Sequence, residues 1–142
     1  MSEVFADTSG WASAFIGKEM FHSLAAEYLR QWQADGTKVV TTNYVLTEVV
    51  ALLMSPLRVP RVQQIAILSA IRTAAWVEVV HIDPALDAAA HLLMQNRPDK
   101  MWSLVDCSSI VVMQERGISL TLTSDHHFEQ AGLVRLLKKG QP

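Results

Sequence analysis

The stretch Lys38–Pro56, "KVVTTNYVLTEVVALLMSP", changes its period part-way through. Its first five residues, Lys38–Thr42, are β-branched apart from the lysine and predict a strand. Residues 43–54 then place apolar side chains at helical spacing and predict a helix, which Ser55-Pro56 stops. The same alternation continues on both sides. Towards the N-terminus, residues 3–7 read as a strand, 10–16 as a short helix and 20–34 as a longer one. Towards the C-terminus come a helix over 60–74, a strand over 77–81 and a helix over 83–96, with Asp83 at its N-cap and Pro84 in its first turn. A helix over 103–116 ends at Gly117, a strand follows over 118–123, and "LVRLL" (133–137) reads as a fifth strand. Strands alternating with helices at this rhythm predict an α/β fold with a mainly parallel central sheet.

The chain has 142 residues, a length that suits one domain over 1–142. Half the residues are hydrophobic and 18% are charged, enough apolar material for a packed core. No apolar run approaches the length of a membrane span, and the first ten residues lack the basic and apolar regions of a signal peptide. A cytoplasmic protein is expected. The single cysteine, Cys107, excludes an internal disulfide and a cysteine-rich zinc site. A net charge of −2 argues against a protein that coats nucleic acid with positive charge, but not against a nuclease whose positive charge comes from a metal ion.

Open parallel sheets bind ligands beyond the carboxyl ends of their strands, so acids there draw notice. Asp7 ends the first strand and Asp125 follows the fourth. Each also reads as a turn or N-cap aspartate. Glu48 lies at the edge of the apolar face of its helix, in line with Val45 and Leu52, where a glutamate can also extend to solvent. Asp106 lies on a helix that is apolar on nearly all sides, and three residues after Ser103 it also reads as half of a capping box. Four carboxylates brought together would repel one another, and a divalent cation relieves that. Oxygen ligands without cysteine suit Mg²⁺ or Mn²⁺.

The segments "VFADTSGW", "TNYVLTEVVALL", "RPDKMWSLVDCSSIVVMQERGI" and "LTSDHHFEQAG" stand in the order found in PIN domains. Over essentially its whole length the chain resembles a PIN-domain ribonuclease of the VapC toxin type. The resemblance implies a Rossmann-like α/β/α sandwich. It implies that Asp7, Glu48, Asp106 and Asp125 line one cleft and hold Mg²⁺ or Mn²⁺, with Thr8, Ser9 and Thr123 in support. It implies hydrolysis of RNA phosphodiester bonds, in which activated water attacks phosphorus and the 3′-oxygen leaves. It also implies an RNA substrate, a small antitoxin partner and a homodimer. Asp7 and Asp106 are expected to be the principal ligands, Asp125 to complete the shell, and Glu48 to bind a second ion or orient water.

Two other classes stay open: a catalytically idle PIN-like module that binds RNA or protein, and another metal-dependent phosphoryl-transfer enzyme. Against the latter, "DTS" lacks the second aspartate of the D-x-D motif of haloacid-dehalogenase enzymes. Arg58, Arg61 and Lys100 are candidate RNA contacts and equally candidate surface charges. His126 and His127 are secondary candidates beside Asp125, with Phe128 as a packing anchor. Trp11, Trp32 and Trp102 read as base-stacking or, more simply, packing residues.

Overall fold

The computed structural model describes residues 2–140. β1 (Glu3–Ala6) leads into α1 (Thr8–Phe15) and α2 (His22–Asp35). β2 (Lys38–Thr42) leads into α3 (Asn43–Met54) and α4 (Arg61–Thr73). β3 (Val77–Val80) precedes α5 (Pro84–Asn96) and α6 (Leu104–Arg116). β4 (Leu120–Leu122), α7 (His127–Gln130) and β5 (Val134–Arg135) follow.

The sheet has the order β3-β2-β1-β4-β5, and every neighbouring pair is parallel. The chain crosses the sheet in one direction from β1 to β3 and returns across it to β4. Right-handed crossovers therefore place α1–α4 on one face and α5 and α6 on the other, a Rossmann-like α/β/α sandwich. The direction reverses between β1 and β4, so their carboxyl ends flank the switch point.

The expected elements form with shifted ends. β1 stops at Ala6 because Asp7 is the N-cap of α1. β4 holds only three residues and β5 two, shorter than their apolar runs. α7 has no counterpart in the sequence reading, which took Phe128 only as a packing anchor.

β1 is buried on both sides, as its unbroken Val4-Phe5-Ala6 run requires. Trp11 is fully buried, and its indole N–H donates to Thr41 Oγ1 at 3.1 Å. Thr41 in turn donates to the Ala6 carbonyl at 2.9 Å, so the indole's polar atom is satisfied within the core. Trp32 and Trp102 are buried as well, which assigns all three of these tryptophans to packing. At the far end of the sheet Arg116 donates to both Glu3 and Glu78, tying the last turn of α6 to β1 and β3. Among the described residues, no helix is long and apolar enough to cross a membrane.

Candidate active site

Asp7 sits where β1 becomes α1, and its cap geometry follows from the sequence "DTSG". Its Oδ1 accepts from the Gly10 amide at 3.2 Å and from Ser9 Oγ at 3.0 Å. Its Oδ2 accepts from Thr123 Oγ1, at the end of β4, at 3.0 Å. Three donors favour the ionised form, but burial outweighs them. Loss of water, with a smaller contribution from the neighbouring Asp125 charge, pushes the Asp7 carboxyl up from 3.8 to about 7.

The neighbouring hydroxyls make a closed proton account. Ser9 and Thr123 have one hydroxyl hydrogen each, and they also lie 3.1 Å from one another. With Asp7 ionised, both hydrogens go to its carboxylate. With Asp7 protonated, its own proton turns to one hydroxyl and releases that hydrogen for the other. The site thus accommodates both charge states without rearranging its heavy atoms.

Thr123 also accepts from the Asp125 amide at 3.0 Å, and Ser9 Oγ accepts from the Ser124 amide at 2.9 Å. The loop after β4 is therefore pinned to the Asp7 turn. Thr8 donates to Glu48 Oε1, which joins α3 to the same turn. α3 also packs against α6, the helix that carries Asp106.

Asp106 does serve in a capping box. Ser103 Oγ accepts from the Asp106 amide at 3.0 Å, and Asp106 Oδ2 accepts from the Ser103 amide at 3.0 Å. The same Oδ2 lies 3.0 Å from His127 Nδ1. Among the described residues nothing donates to Asp106 Oδ1. The capping reading is realised through Oδ2, and Oδ1 is left for other ligands.

His127, a secondary candidate in the sequence, contacts two of the acids. Its Nδ1 lies 3.0 Å from Asp106 Oδ2 and 3.4 Å from Asp125 Oδ1. Its backbone amide donates to Asp125 Oδ1 at 2.9 Å. His127 therefore stands between two acids and holds both. Residue spacing alone offers no signal for this, because it depends on α7 folding back against α6. Asp125, His126 and His127 also bring one potential ligand atom each to within 4.8 Å of one another.

Asp7 and Asp106 are buried, while Glu48 and Asp125 are half-buried. A chain of contacts links all four: Glu48 to Thr8, Asp7 to Ser9 and Thr123, Thr123 to Asp125, and His127 to Asp125 and Asp106. Beside the Asp125, His126 and His127 group, the carboxylates of Asp7 and Asp106 are hard oxygen donors of the kind a divalent cation takes, and such an ion would relieve like-charge repulsion.

The basic candidates lie differently. Arg58, at a backbone φ of 52°, lines a groove with Phe15, Gly17 and Lys18. Arg61 points its guanidinium at Met54 Sδ, 3.9 Å away, and Lys100 lies 3.9 Å from Asp99. None of these contacts reaches an acid of the quartet. Cys107 is buried, and burial with the adjacent Asp106 charge raises its thiol pKa, which disfavours the nucleophilic thiolate.

Thr123 is the hub of the arc, fully buried and bonded to two acids' residues. Thr123→Val keeps its shape but strips a donor from Asp7 and an acceptor from the Asp125 amide. The expected cost is about 1–3 kcal/mol of stability, with metal affinity lower by roughly 10–100-fold. Melts with and without added Mn²⁺ measure both. Wild-type values in each would show that the hydroxyl organises nothing.

Comparison with known proteins places the chain in a family and matches its fold. A model of the PIN domain matches residues 4–133. The 23S rRNA-specific endonuclease VapC20 of Mycobacterium tuberculosis is 31% identical over 133 residues, which cover 94% of this chain and 97% of that protein. The crystal structure of VapC20, described as a sarcin-ricin loop cleaving toxin, superposes with a TM-score of 0.80 at 30% identity, covering 92% of this chain and 96% of that one. PAE2754 from Pyrobaculum aerophilum shares the fold, with a TM-score of 0.63 at 20% identity over 95% of this chain and 90% of that one.

Proposed function

The chain belongs to the PIN-domain family, and on that premise we propose that it is a divalent-metal-dependent ribonuclease, the toxin of a toxin–antitoxin pair. The observation that carries the reading is the linked arc of Asp7, Glu48, Asp106 and Asp125 at the carboxyl ends of β1 and β4. Asp7 and Asp106 would be the principal holders of Mg²⁺ or Mn²⁺, with Asp125 completing the set and Glu48 taking a second ion or orienting water. When bound, such an ion supplies the positive charge that phosphodiester hydrolysis needs at the phosphorus centre.

The chain's own groups do the remaining work. Ser9, Thr123 and the Gly10 amide fix both oxygens of Asp7. The capping box and His127 fix Asp106. Thr8 orients Glu48. The carboxylates can thus receive the proton that water loses as it attacks phosphorus, while the 3′-oxygen departs. Preset orientation of this kind spares reorganisation during the reaction.

VapC20 points to a substrate, the sarcin–ricin loop of 23S ribosomal RNA. A labelled hairpin of that loop, an unrelated hairpin and a phosphomonoester are the informative substrates. Cutting of the loop with Mg²⁺ or Mn²⁺, abolished by EDTA, is the expected result. Cutting that survives EDTA would exclude the metal, and turnover of the phosphomonoester alone would move the protein to another class. A small antitoxin and a second copy of the chain are the proposed partners. Val62 and Ile65, exposed one turn apart on α4, offer an apolar surface for association. The proposed location is the cytoplasm, and the proposed unit is a single nuclease domain.

A further inference from the structure

The sheet extends past β5 as single hydrogen bonds. Leu136 N donates to Thr121 O and Leu137 N donates to Thr123 O, both at 3.0 Å. This segment runs parallel to β4, so Leu137 is level with Thr123. The next two residues, Lys138 and Lys139, therefore leave the sheet at the edge where Ser124 and Asp125 leave it. The "KK" of "LVRLLKKG" is thereby delivered to the acidic end of the molecule.

A groove of about 330 Å³ opens there. Its lining is Lys138, Lys139, Arg135, Leu137, Ser124 and, from the connection before α2, Phe21. Arg135 Nη1 donates to the Ser124 carbonyl at 3.1 Å. The Ser124 amide in turn donates to Ser9 Oγ, which donates to Asp7. The groove wall and the acidic arc thus share one pinned loop. Around the groove, charge is out of balance. Glu129 receives Lys138 Nζ at 3.0 Å and has Arg135 Nε at 3.3 Å, so one carboxylate faces two cations. Lys139 is exposed and makes no ion pair among the described residues.

The acids repel a polyanion, and the whole chain carries a net charge of −2. Attraction for RNA must come from cations placed locally beside the acids. We propose that this groove binds a backbone phosphate of the RNA flanking the bond to be cut. Lys138 and Lys139 make the contacts, Arg135 positions the wall, and the half-buried Phe21 closes it. The inference rests on the ribonuclease reading and adds to it a substrate-binding site remote from Arg58, Arg61 and Lys100 in sequence.

The test separates binding from cutting. Binding of a labelled RNA hairpin is followed by anisotropy in metal-free Asp7→Asn protein, with and without Lys138→Gln/Lys139→Gln. The double variant is expected to bind roughly 10–100-fold more weakly, and its slope of log affinity against log salt should be shallower by roughly 0.7–0.9, the release from one phosphate contact. In otherwise wild-type protein the same pair should raise KM by a similar factor and change kcat far less, with unchanged Mn²⁺ affinity. Glu129→Gln, which frees Lys138, should tighten RNA binding a few-fold. Unchanged RNA affinity and salt slope in the double variant, beside normal wild-type cleavage, would overturn the groove and leave the ribonuclease standing. Loss of binding to an acidic partner protein with RNA binding intact would overturn it too. A wild-type protein that neither binds nor cuts RNA would remove both readings.

Discussion

Asp7→Asn is expected to abolish RNA cleavage and, in the same protein, to make the metal-free form more stable at neutral pH. The carboxyl has a folded pKa of about 7 against an ordinary 3.8, because it is buried. A raised folded pKa means that the folded state binds the proton more tightly than the unfolded chain. The resulting stability is fully present below pH 3.8 and is lost as pH rises through about 7. The difference is about 3 units, which bounds the effect near 4 kcal/mol, and roughly 2–4 kcal/mol is expected.

Asparagine carries no charge and loses nothing over that range. Its carbonyl oxygen can still accept from Gly10 and Ser9, and its amide can donate to Thr123, whose hydroxyl then turns to Ser9. Urea melts of metal-free wild type should therefore weaken between pH 5 and 8 relative to the variant. Mn²⁺ should restore the wild type at pH 8 and leave the variant unmoved. Cleavage should fall by at least about 10²–10³-fold. Retained cleavage would remove Asp7 from the ligand set, and parallel pH profiles of the two proteins would show that its carboxyl is not the strained group.

Gly10→Ala is expected to be as damaging to the fold as Asp7→Asn is to the reaction. A Cβ on Gly10 would lie 2.0 Å from the Leu122 carbonyl oxygen and 2.9 Å from its carbon. Both are backbone atoms of β4, and β4 is held against β1 by the pairing of Ala6 with Leu122. The Asp7 amide donates to that same Leu122 oxygen at 3.3 Å. Neither side can give way cheaply. A loss of about 3–5 kcal/mol is expected, a fall in melting temperature of roughly 10–20 °C. The Gly10 amide also holds Asp7 Oδ1, so any survivor should bind metal poorly. Gly17→Ala is the control, since a Cβ there meets nothing within 4 Å. Equal melting of the two variants would show that α1 does not press against β4.

Local pattern carried a good deal of this. Val4-Phe5-Ala6, Lys38–Thr42 and the helix from Asn43 to Met54 are legible because strand and helix periods are properties of neighbouring residues. The four acids were legible as polar residues at strand ends or on apolar faces, and Asp106 was legible as a capping residue. His127 stood only as a secondary candidate beside Asp125, since its contact with Asp106, twenty-one residues away, depends on α7. Lys138 and Lys139 drew no notice in the sequence, because only the register of Leu137 against Thr123 carries them to the acidic edge.

The sequence by itself therefore determined the alternation of strands and helices, the parallel sheet that follows from it, and the residue types available for chemistry. The tertiary structure alone decided which of those residues meet. It set the burial that makes Asp7 hold its proton, the single close approach that only Gly10 permits, and the histidine lodged between two acids. The division has a physical cause. Periodicity and capping act over a few bonds along the chain, whereas desolvation, charge repulsion and steric contact act through space, between groups that only the completed sheet brings together.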